Sequence, residues 1–259
     1  DANFFDDLSL KLTYYHSNTF NQTFYASLPS SSGYTSIPIQ SGNIMNEGIE
    51  AGIGYDHKWG GFSFGAHYTF TWNRNEVKCL ADGAVNPFTG ETIRMEELTV
   101  GGFGQTDAKV ILRTGGSTGD VYAQKKIARD LNGYILNDPN TGLSVTSGDY
   151  FKIGSILPKA NMGLSLDFGW KGIALGMTFN ARLGGIVMSE TQATLDRYGV
   201  SEASAAARDN GGVRINSGLV TAKNYYQTTA GIVTNYTYDA TNVRLGQLNL
   251  NYTLPRRWF

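Results

Sequence analysis

The sequence predicts an all-β protein whose strands form a segment of a transmembrane antiparallel β-barrel with long extracellular loops. The main observation is the segment 62–72, in which aromatic or apolar side chains occupy the even positions and small or polar ones the odd positions. Because successive strand residues point to opposite faces, such a segment has one apolar and one polar face. Its length matches the roughly 9–11 residues that a tilted strand needs to cross a membrane. Short turns and very long connections alternate along the chain, as in bacterial outer-membrane barrels.

The composition excludes several other classes of protein. The chain of 259 residues is 41% hydrophobic, and no apolar run approaches the about 18 residues of a transmembrane helix. The net charge is −1 and there is no basic block, so we expect no nucleic-acid partner. The single cysteine, Cys79, allows no internal disulfide.

Six alternating segments are predicted as strands: 8–14 with a continuation to residue 25, 48–56, 62–72, 162–170, 173–183 and 243–254. In the fourth and fifth, the side chains expected to face lipid are Leu164, Leu166, Phe168, Leu175, Met177 and Phe179. Those expected to face the interior are Ser165, Asp167, Thr178 and Asn180. In the sixth, the apolar positions change from odd to even around Gly246, where a β-bulge would restore the register.

The connections between these segments are either very short or very long. The turns at 59–61 and 171–172 contain glycine and have hairpin length, whereas those around 29–43, 74–159 and 185–241 are long. Long loops of outer-membrane barrels lie outside the cell, so the first, third and fifth strands should run outward. Since single-chain membrane barrels begin at about eight strands, six strands need others to close the barrel.

No set of catalytic or metal-binding residues stands out. His16, His57 and His67 have no partner at the spacing of metal ligands. The stretch 130–134 has Tyr134 where an EF-hand calcium loop needs suitable oxygen ligands, so an Asn-Gly turn explains it better. The chain also lacks the Gly-x-Ser-x-Gly form of a nucleophile elbow. We therefore expect no metal, no cofactor and no enzymatic activity.

Three groups of motifs resemble SusC/RagA-type TonB-dependent transporters, which lie in the outer membranes of Bacteroidetes. The motifs are 31–34 (SSGY) with 41–50 (SGNIMNEGIE), 130–133 (DLNG) with 153–159 (IGSILPK), and 243–248 (VRLGQL) with 252–255 (YTLP). The resemblance implies that residues 1–259 belong to a TonB-dependent receptor barrel of about 22 strands around an N-terminal plug, of which they supply roughly the fifteenth to the twentieth. The plug domain, the TonB box and the final strands would lie outside these residues.

The resemblance also implies a function, which is TonB-dependent active import of a nutrient, either an oligosaccharide or a peptide, through the outer membrane. In that family a SusD-type surface lipoprotein closes over the barrel as a lid, and TonB pulls on the plug from the periplasm. Two other classes of protein remain open on the sequence alone: a passive porin or adhesin barrel, and a secreted carbohydrate-binding β-sandwich.

Two sets of residues are candidates for functional contacts. The first set is expected to face the lumen, either as a solvated or plug-facing surface or along the substrate path: Glu50, His67, Asp167, Asn180 and Arg182. The second set is expected to contact the substrate or the lid, because aromatic rings stack on sugars and peptide side chains: Tyr122, Tyr134, Tyr225 and Tyr226. Further loop aromatics with the same potential are Phe88, Phe103, Tyr236 and Tyr238. Packing within the loops is the alternative explanation for these rings.

Overall fold

The computed structural model describes residues 1–5, 7–27, 36–85, 90–138, 142–216 and 218–254. In chain order its strands are β1 (Ala2–Phe4), β2 (Leu8–Ser27), β3 (Ser36–Trp59), β4 (Phe62–Cys79), β5 (Ala81–Val85), β6 (Thr92–Met95), β7 (Glu97–Gly102), β8 (Lys109–Arg113), β9 (Asp120–Ile127), β10 (Asn137–Asp138), β11 (Gly142–Leu143), β12 (Val145–Ser155), β13 (Ala160–Trp170), β14 (Ile173–Leu183), β15 (Ile186–Met188), β16 (Val213–Ile215), β17 (Gly218–Val220), β18 (Thr237–Asp239) and β19 (Asn242–Tyr252). The helices are α1 (Glu190–Arg197), α2 (Glu202–Asp209), α3 (Ala222–Thr229) and a 3₁₀ helix (Val233–Tyr236). No helix among the described residues is long and apolar enough to span a membrane.

The chain divides into two compact units. The first, here called the sheet unit, contains Asp1–Arg94, Leu157–Gly185 and the residues from Ala240 onward. The second, here called the loop unit, contains Met95–Ile156 and Ile186–Asp239. The loop unit thus combines segments from both of the longest predicted connections.

One antiparallel sheet of seven strands, in the order β1-β2-β3-β4-β13-β14-β19, dominates the sheet unit. All six predicted strands are present, and each pairs with the next predicted strand along the chain. The additional strand β1 was not predicted, because its three residues are too few to show a period of two.

The two faces of this sheet differ completely in polarity. One row of paired residues on the apolar face consists of Ile53, Tyr68, Leu164, Phe179 and Leu245. The next row of paired residues, on the opposite face, consists of Gly54, His67, Ser165, Thr178 and Gln247. The two sets predicted in β13 and β14 therefore lie on opposite faces. None of the six predicted lipid-facing residues is buried in a closed core, as a β-sandwich would require.

Aromatic residues mark both ends of the apolar face. The row at one end consists of Trp59, Phe62, Trp170, Ile173 and Tyr252. The row at the other end consists of Tyr14, Ile49, Trp72, Ala160 and Leu183. These rows are about 34 Å apart along β13, which corresponds to about 25 Å across a membrane for a strongly tilted strand. The apolar band thus has the height of an outer-membrane barrel, with aromatic girdles at its borders.

The short turns lie together at one edge of the sheet. Gly60 and Gly61 connect β3 to β4, and Lys171 and Gly172 connect β13 to β14. Lys171 and Gly172 have φ values of 45° and 89°, as in the type I′ turns that favour hairpins. The long connections after β4 and β14 leave from the opposite edge, which confirms the predicted alternation. The predicted bulge is also confirmed, because the pairing of β14 with β19 skips Gly246 between Leu245 and Gln247.

Three strands extend far beyond the apolar band. β2, β3 and β4 have 20, 24 and 18 residues, whereas about 9–11 are enough to cross a membrane. The loop predicted around 29–43 is therefore wrong from residue 36 onward, where β3 begins. Beyond the band both strand faces mix polar residues with apolar ones such as the buried Ile39, Met45 and Val77, so the alternation that predicts strands disappears while the backbone pairing continues.

A charged row on the outer face follows directly after the aromatic girdle. His16 pairs with Glu47, and Glu47 pairs with Arg74, two residues beyond Tyr14, Ile49 and Trp72 along their strands. Nδ1 of His16 lies 3.6 Å from the Glu47 carboxylate, and Nη1 of Arg74 lies 3.2 Å from it. Charged groups in this row mark the membrane boundary, because they would be costly in the hydrocarbon layer.

The loop unit has its own sheet and core. Its main sheet has the order β12-β9-β8-β7, the pairs β10-β11 and β16-β17 form small hairpins, and β15 pairs with the distant β18. One hydrophobic core combines Ala108, Val121 and Ala123 from the first connection with Val233 from the second. The two long connections therefore fold into one body rather than as separate loops.

Candidate functional site

The five predicted lumen residues all lie on the polar face of the sheet. Glu50 and Arg182 even belong to one row of paired residues, separated by Thr71 and Asn161. His67 belongs to the row of Ser165 and Thr178, whose hydroxyl oxygens are 3.2 Å apart. Asn180 pairs with Gly163 and with Arg244. The register thus assembles a continuous polar surface from residues that are up to about 200 positions apart in the chain.

A cavity of about 580 Å³ lies in this surface near the short turns. Asp56, Asp167 and Asn249 line it, and the paired positions between them are Gly65 and Gly176. A Cβ atom at Gly65 would lie 2.7 Å from Oδ1 of Asp56, and one at Gly176 would collide with the Asn249 amide. The glycines therefore leave room for the polar side chains to lie along the sheet.

This polar surface carries imidazole, carboxylate, amide and hydroxyl groups that can form hydrogen bonds. Nε2 of His67 lies 3.2 Å from Oδ1 of Asp56, and both side chains are largely exposed to solvent. Among the residues that the structure describes, no group of three or more His, Cys, Asp or Glu side chains could hold a metal ion. The arrangement suits contact with water, a polar solute or a polar protein surface.

Tyr122, one of the predicted contact residues, is covered by cations. The residue is only 4% exposed, and the Arg113 guanidinium carbon lies 4.5 Å from the ring centroid. Lys109 and Lys152 are the residues paired with Tyr122 on the neighbouring strands. Nζ of Lys152 also forms a 2.6 Å ion pair with the buried Asp120. A ligand would have to displace Arg113 to reach the ring.

Tyr134 is exposed at the tip of a rigid turn. Oδ1 of Asp130 accepts hydrogen bonds from the backbone N–H groups of Asn132 and Tyr134, both at 2.9 Å. Gly133 has a φ of 85°, which a side chain would disfavour, and Nη1 of Arg129 donates to its carbonyl at 2.8 Å. This confirms the Asn-Gly turn, which leaves the Tyr134 side chain accessible at its end.

Tyr225 and Tyr226 lie side by side on α3 but have different environments. Their ring centroids are 5.2 Å apart in an edge-to-face arrangement. Tyr225 packs against the core formed by Leu143, Ile215 and Val220. Tyr226 instead lines a separate cavity. Burial, and then the charge of Asp196, raise the pKa of Tyr226 above its usual value, so its phenol remains a neutral donor.

The remaining loop aromatics mostly serve packing. Phe103 packs on the core of the loop unit, and the buried Tyr236 donates a 2.9 Å hydrogen bond to Oδ2 of Asp196. Tyr238 is half exposed. Phe88 lies outside the described residues.

The cationic residues around Tyr226 were missed by the sequence reasoning. Arg197, Arg208 and Lys223 line the same cavity as Tyr226, although they lie on three different helices. Their spacing in the chain forms no basic block and no motif, so only the packing of the helices brings them together.

Comparison with known proteins explains this architecture. No protein-family model matches the chain. TonB-dependent receptor P3 of Formosa agariphila is 24% identical over 271 residues, which cover 98% of this chain and 26% of that receptor. The chain therefore spans about a quarter of the curated relative that it matches.

Solved structures show the same fold. The RagAB peptide importer in its closed-closed state matches with a TM-score of 0.63 and 18% identity, covering 98% of this chain and 28% of that chain. The same importer in its open-open state matches with a TM-score of 0.57 and 19% identity, covering 99% and 27%. The chain is thus similar in sequence to a TonB-dependent receptor and shares the fold of a segment of the RagAB importer. Its seven-stranded sheet has the fold of a β-barrel wall segment.

The structure gives physical roles to the residues that carry the SusC/RagA-type resemblance. Gly42 and Gly48 lie beneath the rings of Phe24 and Tyr15, where a Cβ atom would collide with each ring. The motif at 130–133 forms the rigid turn before Tyr134, and the motif at 243–248 contains the bulge of β19. The motif residues 31–34 and Pro255 lie outside the described residues.

Proposed function

We propose that this chain supplies barrel wall and outer loops to a TonB-dependent receptor that imports an oligosaccharide or a peptide across the bacterial outer membrane. The observation that supports this most directly is the continuous division of one sheet into an apolar and a polar face, combined with the relation to TonB-dependent receptors. The plug domain, the TonB box and the final strands would belong to other parts of the receptor.

In this proposal the two faces of the sheet have different partners. The apolar face contacts outer-membrane lipid, since it carries aromatic girdles at both borders. The polar face with Glu50, His67, Asp167, Asn180 and Arg182 lines the lumen, where it meets water, the plug and the passing substrate. Transport of this kind needs no bond making or breaking, so we propose no enzymatic activity for the chain.

A SusD-type surface lipoprotein is the proposed partner of the loop unit. The long connections leave the sheet at the edge opposite to the short turns, and outer-membrane barrels have their long loops outside the cell. Loops of this size generally bind a partner or ligand. The exposed Tyr134 and Leu131, which is fully exposed, provide apolar contact points for a lid. Because the RagAB relative is a peptide importer, a peptide remains one of the two proposed substrate classes.

Energy-dependent uptake tests the proposed function. Cells with the full receptor should accumulate labelled oligosaccharide or peptide when TonB is present, and accumulation should stop in a strain that lacks TonB. Uptake that continues without TonB would show a passive porin, the main alternative. The secreted β-sandwich alternative is excluded, because the apolar rows of the sheet do not pack into a closed core.

Proteolysis of intact cells tests the proposed orientation. Surface protease should cut within 95–156 or 186–239, and the lid lipoprotein should protect these segments. Cleavage restricted to the turns at 60–61 and 171–172 would show that the orientation is the opposite of the proposed one. If the loops were cleaved equally with and without the lipoprotein, the proposed partner would be wrong, but the proposed barrel would not be affected.

A further inference from the structure

A cavity of about 270 Å³ lies among the three helices of the loop unit. Arg197 from α1, Arg208 from α2 and Lys223 from α3 line it, together with Tyr226 and the single carboxylate Asp196. The volume corresponds to one residue of a polymer rather than to a whole oligomer, since pockets for drug-sized ligands are about 300–1,000 Å³.

The one carboxylate of this cavity already has its partners. Asp196 is 6% exposed, and its two oxygens accept hydrogen bonds from Nε2 of Gln192 and from the hydroxyl of Tyr236, both at 2.9 Å. It therefore anchors the helices, and the cavity has three cations against this one carboxylate. Within the described part of the chain, none of Arg197, Arg208 and Lys223 forms an ion pair.

Both arginines are held in place by backbone carbonyls. Nη2 of Arg197 donates to the carbonyl of Gln105 at 3.2 Å, and Nη1 of Arg208 donates to the carbonyl of Gly199 at 2.5 Å. Each contact uses one of the five N–H donors of a guanidinium group. The remaining donors are preorganised, which lowers the entropic cost of binding an anion.

We propose that this cavity binds a carboxylate of the imported molecule, an inference that rests on the proposed import function. A carboxylate fits the planar donor fork of arginine, and Lys223 adds a third positive charge. Tyr226 supplies a flat apolar wall and a neutral hydroxyl donor beside the carboxylate. The carboxylate belongs either to an acidic sugar of an oligosaccharide or to the end or side chain of a peptide.

Calorimetric titration of the full receptor in detergent tests this site. The probes are a disaccharide that ends in glucuronic acid and the N-acetylated peptide dialanine, each compared with its neutral methyl ester or amide. We expect at least one acid to bind roughly tenfold or more tightly than its neutral form. Binding of the sugar acid alone identifies a glycan, and binding of the dipeptide alone identifies a peptide. Equal affinities of acid and neutral form, or no binding of any probe, would overturn the site.

Three variants locate the binding. Arg208→Gln and Lys223→Gln should each lower the affinity for the acid about tenfold and leave the affinity for the neutral probe unchanged. Since Lys223 is exposed and makes no ion pair, its replacement separates loss of charge from loss of folding. The matched control Arg214→Gln removes an exposed cation of the loop unit that does not line the cavity, and it should change nothing. If Arg214→Gln weakened binding of the acid as much as the other two variants, a general effect of charge would explain the binding, and the proposed site would be wrong.

The two proposals fail in different ways. TonB-dependent uptake is measured in the same variants. Uptake without TonB would overturn the import function, whereas retained TonB dependence without any preference for acids would overturn only the cavity.

Discussion

The hydroxyl of Tyr15 donates a 2.8 Å hydrogen bond to the side-chain oxygen of Asn73, across the strand that lies between them. Tyr15 pairs with Gly48, and Gly48 pairs with Asn73, so the phenol passes over a residue without a side chain. A Cβ atom at Gly48 would lie 2.5 Å from the Tyr15 hydroxyl oxygen and would also collide with the Trp72 carbonyl. This glycine therefore allows β2 and β4 to be tied together directly, just beyond the aromatic girdle.

The first prediction follows from this contact. Gly48→Ala should destabilise the folded barrel by about 1–3 kcal/mol, because the new methyl group displaces the Tyr15 ring or the neighbouring backbone. Gly52→Ala is the matched control, since its Cβ atom would have its nearest neighbour, Cβ of Lys11, at 3.7 Å. Urea titration followed by heat-modifiable gel mobility measures both variants. Equal transition midpoints would contradict the tight approach at Gly48.

The second prediction separates the two faces of β13. Leu166→Arg should cost roughly 2–4 kcal/mol, because it places a charge near the middle of the apolar band. Ser165→Arg should cost far less, since its neighbours His67 and Thr178 belong to the polar face. The fraction of folded barrel on a gel, compared between the two variants, is the measurement. Similar losses for both would show that the faces are assigned incorrectly.

The third prediction concerns the carboxylate that joins the two long connections. Oδ2 of Asp107 accepts from the backbone N–H groups of Gln124 and Lys125 at 2.7 and 2.5 Å, and Oδ1 accepts from that of Val233 at 2.8 Å. Asp107→Ala should therefore destabilise the loop unit by roughly 2–4 kcal/mol, because three partly buried backbone donors lose a charged acceptor.

Hydrogen exchange of the loop unit measures this effect. Protection should fall around β9 and the 3₁₀ helix, while the exchange of β13 and β14 stays unchanged. Asp209→Ala, which removes an exposed acid at the end of α2, serves as the control. Unchanged protection in the Asp107 variant would show that the joint between the connections lies elsewhere.

The fourth prediction is a dependence on alkaline pH. Burial, and then the hydrogen bond to Asp196, raise the pKa of Tyr236 well above its usual value of about 10. The neutral phenol is thus favoured in the folded state. Its contribution is complete below about pH 10 and is lost as the pH rises from there through the higher pKa of the folded state.

Tyr236→Phe should remove this alkaline loss of stability and cost about 1–3 kcal/mol at neutral pH, because the buried Asp196 loses a donor. Near-ultraviolet circular dichroism during unfolding at several pH values measures both effects. Tyr238→Phe is the control, since Tyr238 is half exposed. An identical alkaline slope in the Tyr236 variant would show that another group is responsible.

The barrel strands could be predicted because their signal is local. A membrane strand alternates at a period of two, so Leu164 and Ser165 reveal their opposite faces without any knowledge of the neighbouring strands. The turns at Gly60 and Lys171 and the bulge at Gly246 were predictable for the same reason, since each interrupts or shifts a local pattern. The continuation of β2 to residue 25 was also predicted, whereas the three-residue strand β1 and the extensions of β3 and β4 show no such pattern and were missed.

The loop unit depends on contacts between distant residues, and here the sequence by itself decided little. From the sequence alone, Tyr122, Tyr134 and Tyr226 are equally plausible contact residues. In the structure Tyr122 is covered by Arg113, Tyr134 is exposed at the end of a hydrogen-bonded turn, and Tyr226 lines a cationic cavity. Asp107 binds the backbone of Val233, 126 positions later. Such contacts form between surfaces that exist only after the two connections have folded together, because soluble packing follows shape and burial rather than a fixed period. Faces set by lipid and water could be predicted from the sequence, whereas the arrangement of the outer loops was decided by the tertiary structure alone.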